Sequence, residues 1–385
     1  MKLLHIADLH IGKRVNAFSM IEDQAHILKQ ILRMIDAEKP DGVLIAGDIY
    51  DRSQPPVEAV ELLDTFLTEL TASVRSVFMI SGNHDSPERL SFGRRIMRKN
   101  GLHIAGVFAG VLQKVGLTDA HGAVNIYLLP FLKPAMAKPF FEQPIESYDE
   151  AVRAIISSAK IDERERNILL THQFVVNGAW LPARSESESL SVGGLENVDL
   201  SAFAPFDYVA AGHLHKPQKI GRDTVRYAGS PLKYSFSEAR HQKSAALLEL
   251  GAKGDEIPVR LLPLIPLRDL REIKGPIAEL LRIGREEASG AKDYIHATLT
   301  DEADIYDAIG QLRLVYPNLM TLDFENSRVG RVLSPGAAAS DAIAEKSPLD
   351  LFAAFYQMQN NNELNPEQVR VMERIFARAA GGAEE

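Results

Sequence analysis

Through about residue 245 the chain alternates short apolar runs with longer stretches of helical periodicity. The runs LLHIA (3–7), GVLIA (42–46), SVFMI (76–80), IYLL (126–129), NILL (167–170) and YVAA (208–211) have the length and composition of buried strands. Between the first two, residues 20–38 carry Ile21, Ala25, Leu28, Ile31, Leu32 and Ile35 at helical spacing. Residues 57–70 do the same with Val60, Leu63, Phe66 and Leu67. Strands alternating with amphipathic helices predict an α/β fold over residues 1–264, a layered β-sheet core flanked by helices.

After Pro266 the pattern changes. A helical stretch (277–287), an alternating run (294–299), a second helix (303–315) and a strand (319–324) predict a small separate α+β domain over 265–329. Residues 330–346, rich in Gly, Ala and Ser, read as a flexible linker. Residues 347–379 carry signals for two helices. Ser347-Pro348 offers a cap and a first-turn proline, and Leu351, Phe352, Phe355 and Tyr356 form an apolar stripe. Asn365, Pro366 and Gln368 repeat the start signal ahead of Val369, Met372, Ile375 and Phe376. These helices either pack on the small domain or present their aromatics to a partner. The linker before them favours the partner.

Composition narrows the class. The 385 residues include no cysteine, which excludes disulfides and thiolate metal sites and suits a reducing cytoplasm. The opening segment MKLLHIADLH lacks the pattern of a signal peptide, and no apolar run approaches the ~18 residues needed to span a bilayer. A formal charge of −9 argues against a surface that wraps nucleic acid as a whole. It leaves room for a local site, because two divalent cations beside Asp8 and Asp48 would outweigh those carboxylates and attract phosphate.

Five of the strand-like runs end in a polar cluster. Asp8-Leu9-His10, Gly47-Asp48-Ile49-Tyr50-Asp51, Gly82-Asn83-His84-Asp85, Thr171-His172 and Gly212-His213-Leu214-His215 each follow one. Ligands of open α/β sheets collect beyond the carboxyl ends of strands, so five such ends predict one shared site. Asp8, His10, Asp48, Asn83, His172, His213 and His215 supply only oxygen and imidazole nitrogen, a donor set for Mn²⁺, Mg²⁺, Fe²⁺ or Zn²⁺. The D-x-H and H-x-H spacings put both side chains of each pair on one face of an extended segment. One carboxylate can bridge two cations, and such a pair can grip both the attacking and leaving oxygens of a phosphate ester. His5, His26, His103, His121, His241 and His296 lack this context and read as packing or solvated residues.

The series D-x-H, G-D-x-x-D, G-N-H-D, H, G-H-x-H resembles the calcineurin-like metallophosphoesterase superfamily. ADLHIGK, GDIYDRSQPP, SGNHDSPERL, SLSVGGLENVD, AGHLHKPQ and YAGSPLKYSFSE resemble, more narrowly, the nuclease component of bacterial SbcCD complexes in the double-strand-break repair nuclease family. The resemblance covers nearly the whole chain and implies a DNA exonuclease and endonuclease of repair, recombination and replication, located in the cytoplasm at the nucleoid. It implies two divalent cations, Mn²⁺ foremost and Mg²⁺ as an alternative. Asp8, His10, Asp48 and His215 would hold one, and Asp48, Asn83, His172 and His213 the other. It leaves the imidazole of His84 to protonate the leaving oxygen, with a neighbouring carboxylate such as Asp85 holding the ring; the alternative is that His84 only shapes its loop. It further implies a capping function for the small domain, docking of the terminal helices on an SMC-like coiled-coil ATPase, and a homodimer through residues 57–70 and 90–97.

Archaeal and eukaryotic relatives place a histidine where this chain, like many bacterial members, has Asp51, which leaves the balance of exonuclease and endonuclease action open. Arg52 can grip phosphate or face DNA from the surface. Lys13, Arg14, Arg89, Arg94, Arg95, Arg98 and Lys99 are further candidates for DNA contact, or parts of solvated faces. Two competing functions are a phosphomonoesterase or cyclic-nucleotide phosphodiesterase, and a tether for DNA ends with weak catalysis.

Overall fold

A computed structural model describes residues 1–188, 196–287, 290–325, 347–360 and 364–381. They form two compact units that divide after Leu270.

The first unit is built on two six-stranded sheets. In the first, strands β1 (Lys2–Ile6), β2 (Gly42–Ala46), β3 (Ser76–Ile80) and β4 (Leu102–Ala105) run parallel in that order. The second holds β5 (Gln113–Asp119), β6 (Gly122–Leu129), β7 (Arg166–His172), β8 (Tyr208–Gly212), β9 (Gln218–Ile220) and β10 (Arg222–Tyr227), in the order β9-β10-β8-β7-β6-β5. Antiparallel β11 (Ser244–Glu249) and β12 (Val259–Pro263) complete the first sheet beyond β1. Six predicted strands form where their apolar runs lie, because those segments are buried along both faces. The antiparallel edge strands escaped the pattern: β5, for instance, is largely half-exposed and polar.

The sheets share one interior. Leu3, Leu44, Phe78 and Ile80 from the first meet Val124, Ile126, Leu128, Ile168, Leu170 and Tyr208 from the second. On β6 the alternate residues Tyr127 and Leu129 turn to the other face, where they join Val152 and Ile155 of helix α3 (Tyr148–Ser158). Each such side chain contributes roughly 1.5–3 kcal/mol on burial, and a one-residue slip of register would exchange the two sets between faces packed for the other. Helices α1 (Ile21–Glu38) and α2 (Val57–Ser73) bury Ile27, Leu28, Ile31 and Ile35, and Leu63, Phe66 and Leu70, respectively. The segment after β12 still belongs to this unit. Ile265 N–H donates to Gln30 Oε1 at 2.8 Å, and Arg268 donates to Asp23 Oδ2 at 2.7 Å.

The second unit contains a three-stranded sheet, β13 (Leu270–Gly275), β14 (Tyr294–Leu299) and β15 (Leu319–Phe324), with helices α4 (Ile277–Glu286) and α5 (Ala308–Arg313). Its core gathers Leu280, Ile295, Leu299, Leu312, Tyr316 and Leu319. α5 begins later than the predicted 303, because Asp307 adopts φ 46° and its carboxylate accepts from Gly310 N–H at 3.1 Å, capping the helix there.

Helices α6 (Pro348–Asn360) and α7 (Pro366–Gly381) form with the predicted caps. Ser347 Oγ accepts from Asp350 N–H, and Asn365 and Gln368 exchange the two bonds of a capping box. Phe352 packs on Tyr356 and Phe376, while Leu351, Phe355, Val371 and Ile375 stay exposed. The expected linker, 330–346, lies outside the described residues.

Candidate metal centre

The five predicted clusters meet at the carboxyl ends of β1, β2, β3, β7 and β8. The local backbone differs from the extended one expected for D-x-H and H-x-H. Asp8 (φ 54°), His10 (φ 44°), Asp48 (φ 48°) and His213 (φ 111°) sit at left-handed φ, just past the strand ends. Such positions cost non-glycine residues on the order of 1 kcal/mol or more each, and they persist only where surrounding bonds enforce them. Here Asp8 N–H donates to Gly47 O at 3.1 Å, His10 N–H to Asp48 O at 2.9 Å and Ile11 N–H to Ile49 O at 2.9 Å. The first two loops are thus zipped together, and the turn, not strand period, aims both ligands inward. Two glycines are obligatory: a Cβ on Gly82 would stand 2.0 Å from Asp48 Oδ1, and one on Gly212 1.9 Å from the Ala46 carbonyl.

All seven predicted ligands converge. Asp48 Oδ1 accepts from the His84 amide at 2.9 Å, which turns Oδ2 into the site, 3.5 Å from His10 Nε2 and 3.4 Å from His172 Nε2. On one side His10 Nε2 faces His215 Nε2 at 3.0 Å. On the other, Asn83 Oδ1 lies 3.0 Å from His172 Nε2 and 3.1 Å from His213 Nδ1. Asp8 Oδ1 accepts from the His213 amide at 2.8 Å, leaving Asp8 Oδ2 buried with no hydrogen-bond partner. His172 Nδ1 donates to Ala46 O at 2.9 Å, so its Nε2 is the inward atom. Orphaned oxygen and facing imidazole nitrogens fit cations: lone pairs that repel one another in their absence become ligands in their presence.

Electrostatics agree with that fit. Burial holds the His10 ring well below its ordinary pKa and takes His213 down to about 3, keeping both neutral. Burial also raises Asp8. His172 goes the other way. Burial would lower it, but the Asp48 and Asp8 carboxylates and the Ala46 carbonyl together outweigh burial and lift the ring to about 9. Without cations His172 therefore carries a proton at neutral pH, and its Nε2 must release that proton to become a ligand. Cation affinity is expected to fall as pH drops below about 9, because cations must displace the His172 proton and, where the raised Asp8 carboxyl is protonated, its proton as well. Calorimetric Mn²⁺ titration at pH 7 in buffers of differing ionisation enthalpy measures this; binding without proton release would contradict it.

Around the ligands, one expectation is corrected. Asp85 was expected to orient His84, but both its oxygens serve backbone amides: Ile49 at 3.1 Å, Tyr50 at 2.9 Å and Gly82 at 2.8 Å. Its role is to tie the second and third loops together. Burial, with Asp48 nearby, pushes its carboxyl up to about 6. The His84 ring instead donates from Nδ1 to the Asp51 carbonyl at 2.9 Å and packs edge-on against His10 with centroids 4.8 Å apart. A carbonyl can only accept, so the proton of this contact sits on Nδ1.

Lys13 is likewise turned inward, 2.6 Å from Asp51 Oδ1, and not out toward a ligand. Arg14 bonds the Ala17 carbonyl within its own small hairpin. Arg52 is 77% exposed beside Asp51. Arg89, Arg95, Arg98 and Lys99 are exposed and Arg94 half-exposed, on the short helical segments that follow Pro87. Three contributors went unpredicted. Tyr234 donates to Leu9 O at 2.5 Å and packs on His10 and His215. Gln24 Nε2 donates to His10 O at 2.7 Å. Arg184 stacks 5.0 Å over Phe174, whose ring packs against His213. The YAGSPLKYSFSE stretch, which contains Tyr234, was the available signal for the first.

Paired sheets that bring seven oxygen and nitrogen donors to one set of strand ends define a dimetal phosphoesterase. The family model described as calcineurin-like phosphoesterase matches residues 1–217, and the chain belongs to that family. A second model, described as the type 5 capsule protein repressor C-terminal domain, matches residues 266–360. Among curated relatives, the SbcD protein of the SbcCD nuclease from Staphylococcus epidermidis is 35% identical over 327 residues, spanning 84% of this chain and 85% of that protein. The protein of the same name from Staphylococcus saprophyticus is 34% identical over 381 residues, 98% of each chain. Within the phosphoesterases, then, this chain is a member of the SbcD family of SbcCD nucleases, a metal-dependent hydrolase that takes two divalent cations. A dimetal phosphatase from Danio rerio has a similar solved structure, at a TM-score of 0.43 and 14% identity over 69% of this chain and 96% of that one.

Proposed function

We propose that this chain is a DNA nuclease, cutting phosphodiester bonds as a double-strand exonuclease and a single-strand or hairpin endonuclease. Mn²⁺ is its working cation, and an SMC-like coiled-coil ATPase is its partner. The observation that carries the chemistry is the Asp48 Oδ2 position between His10 Nε2 and His172 Nε2, where one carboxylate oxygen serves both halves of the site. The names of the relatives support nucleic acid as substrate and a second protein as partner.

His10, His215, Asp8 and Asp48 would hold one cation, and Asp48, Asn83, His172 and His213 the other. Bound there, two divalent cations polarise phosphate oxygens and acidify water. The chain's own groups do the rest. Asp85 and the zipped loops keep the donors rigid, so little reorganisation accompanies the reaction. His84, held through Nδ1 by Asp51 O, presents Nε2 to give a proton to the departing ester oxygen. Arg52 and the arginines at 89–98 contact the DNA backbone.

The deciding assay compares cleavage of hairpin and blunt duplex DNA with that of a small phosphomonoester, in Mn²⁺. Robust DNA cleavage is expected; hydrolysis of the small ester alone would make the chain a phosphomonoesterase.

Two surfaces support the assembly. The exposed Leu351, Phe355, Val371 and Ile375 of α6 and α7 dock on the ATPase. Removing residues 347–385 is expected to weaken partner capture by more than about a hundredfold, since buried apolar anchors contribute roughly 2 kcal/mol or more each. Bound cations should stay at two, as elemental analysis would check; unchanged capture would refute the docking role. A second copy covers the face where Phe92 is 83% and Ile96 72% exposed, beside Val57 and Val60 of α2. The complex works in the cytoplasm at the nucleoid; among the described residues no helix is long and apolar enough to cross a membrane.

A further inference from the structure

Behind the ligands lies a second set of buried polar groups that the proposed chemistry does not use. Lys243 donates from Nζ to Glu238 Oε2 at 2.5 Å, to the His215 carbonyl at 2.8 Å and to the Ser230 hydroxyl at 2.8 Å. Glu238 is fully buried, and its Oε1 lies 2.5 Å from Ser187 Oγ. Ser187 Oγ in turn stands 2.6 Å from His215 Nδ1. Glu188, the next residue, accepts from the His215 amide at 2.7 Å. An ammonium and a carboxylate buried together stabilise a fold no better than an apolar pair of the same volume. Their presence calls for another role.

Valence supplies it. A carboxylate paired with an ammonium can only accept, so the single Ser187 proton points to Glu238. The Ser187 oxygen must then accept from His215, which places the ring proton on Nδ1. Nε2 is left bare, 3.0 Å from His10 Nε2. The other side of the centre is backed differently: the hydrogen bond of His172 Nδ1 goes to a peptide carbonyl, that of Ala46 at 2.9 Å, with the Asp8 carboxylate 3.9 Å away and, among the described residues, no hydroxyl relay between them. A carboxylate-terminated chain makes an imidazole a stronger donor than a carbonyl does.

We infer that Ser187 and Glu238 are positioning residues for one cation alone: the Lys243–Glu238–Ser187 chain fixes the His215 tautomer and sets the affinity of the His215 half separately from the His172 half. This rests on His215 being a ligand, and the experiment separates the two claims. Full-length protein stripped by chelator is titrated with Mn²⁺, following free Mn²⁺ by electron paramagnetic resonance, for the wild type, His215→Ala, Ser187→Ala and Ser187→Thr. Ser187→Ala leaves the Glu238–Lys243 pair intact and so keeps the fold; Glu238→Gln is a second variant expected to act in the same direction.

In Ser187→Ala one of two equivalents is expected to weaken by about 10- to 100-fold, the size typical of lost outer-shell partners. The other equivalent stays unchanged, and Ser187→Thr, which keeps the hydroxyl, restores the first. Loss of one equivalent in His215→Ala with none weakened in Ser187→Ala would overturn the positioning role and leave the ligand standing. Equal weakening of both equivalents in Ser187→Ala would also overturn it. Two wild-type equivalents in His215→Ala would remove the ligand assignment, and the inference with it.

Discussion

Asp48→Asn is expected to lower phosphodiester hydrolysis by roughly a thousand- to a hundred-thousand-fold, with bound cations falling from two to one or none. Cation stabilisation of a phosphoryl transition state is worth several kcal/mol, and every ~1.4 kcal/mol is tenfold in rate. Asp48 Oδ2 stands within 3.5 Å of ligand nitrogens on both sides, so its loss of charge is felt by both cations. The fold should survive, because an asparagine oxygen can still accept the His84 amide that now bonds Oδ1 at 2.9 Å. Cleavage rates with elemental analysis decide the matter. A variant that kept two cations and a tenth of its activity would remove Asp48 from the bridging role.

His84→Ala should separate chemistry from metal binding. Cleavage of DNA is expected to drop by about a hundred- to ten-thousand-fold, the usual range for a lost general acid, with both cations retained. The reason is local: Nδ1 of His84 donates to the Asp51 carbonyl, which fixes the ring beside the proposed ligands. A nitrophenyl phosphodiester provides the control, since its leaving group departs without a proton and the loss on it should be far smaller. Equal losses on both substrates would assign His84 to the shape of its loop.

Much of the fold and the centre is legible in the residues alone. GVLIA and SVFMI form β2 and β3 without a residue's difference, because segments buried on both faces must be apolar throughout. Each ligand stands out because Asp, Asn and His just past such a run have few structural reasons to be there. What stays hidden depends on neighbours distant in sequence. Asp85 was expected to serve the adjacent His84, yet its oxygens bond amides of Ile49, Tyr50 and Gly82. Lys13 looks like an open cation and is folded onto Asp51, which only the meeting of the first two loops could reveal. Glu238 was visible only as part of a stretch of family likeness and Ser187 not at all, since their partner His215 is reached through space. Left-handed φ at Asp8 and His10 was likewise unreadable, because it is imposed by bonds to the loop after β2.

The two sheets contribute to the centre unequally in time as well as in space. Asp8, His10, Asp48 and Asn83 follow strands of the first sheet, whereas His172, His213 and His215 close or follow β7 and β8 of the second. During synthesis from the amino end, the donors of the first sheet emerge early and wait for histidines that lie well over eighty residues further on. β1 itself stays an open edge until β11 arrives and pairs with it. A nascent or prematurely terminated chain that stops short of Gly212 therefore carries the bridging carboxylate and the proton donor without His213 or His215. It lacks two of the seven proposed donors. For a nuclease of this family, the proposed donor set closes only once β8 and the turn after it have been made, a delay written into the order of the strands.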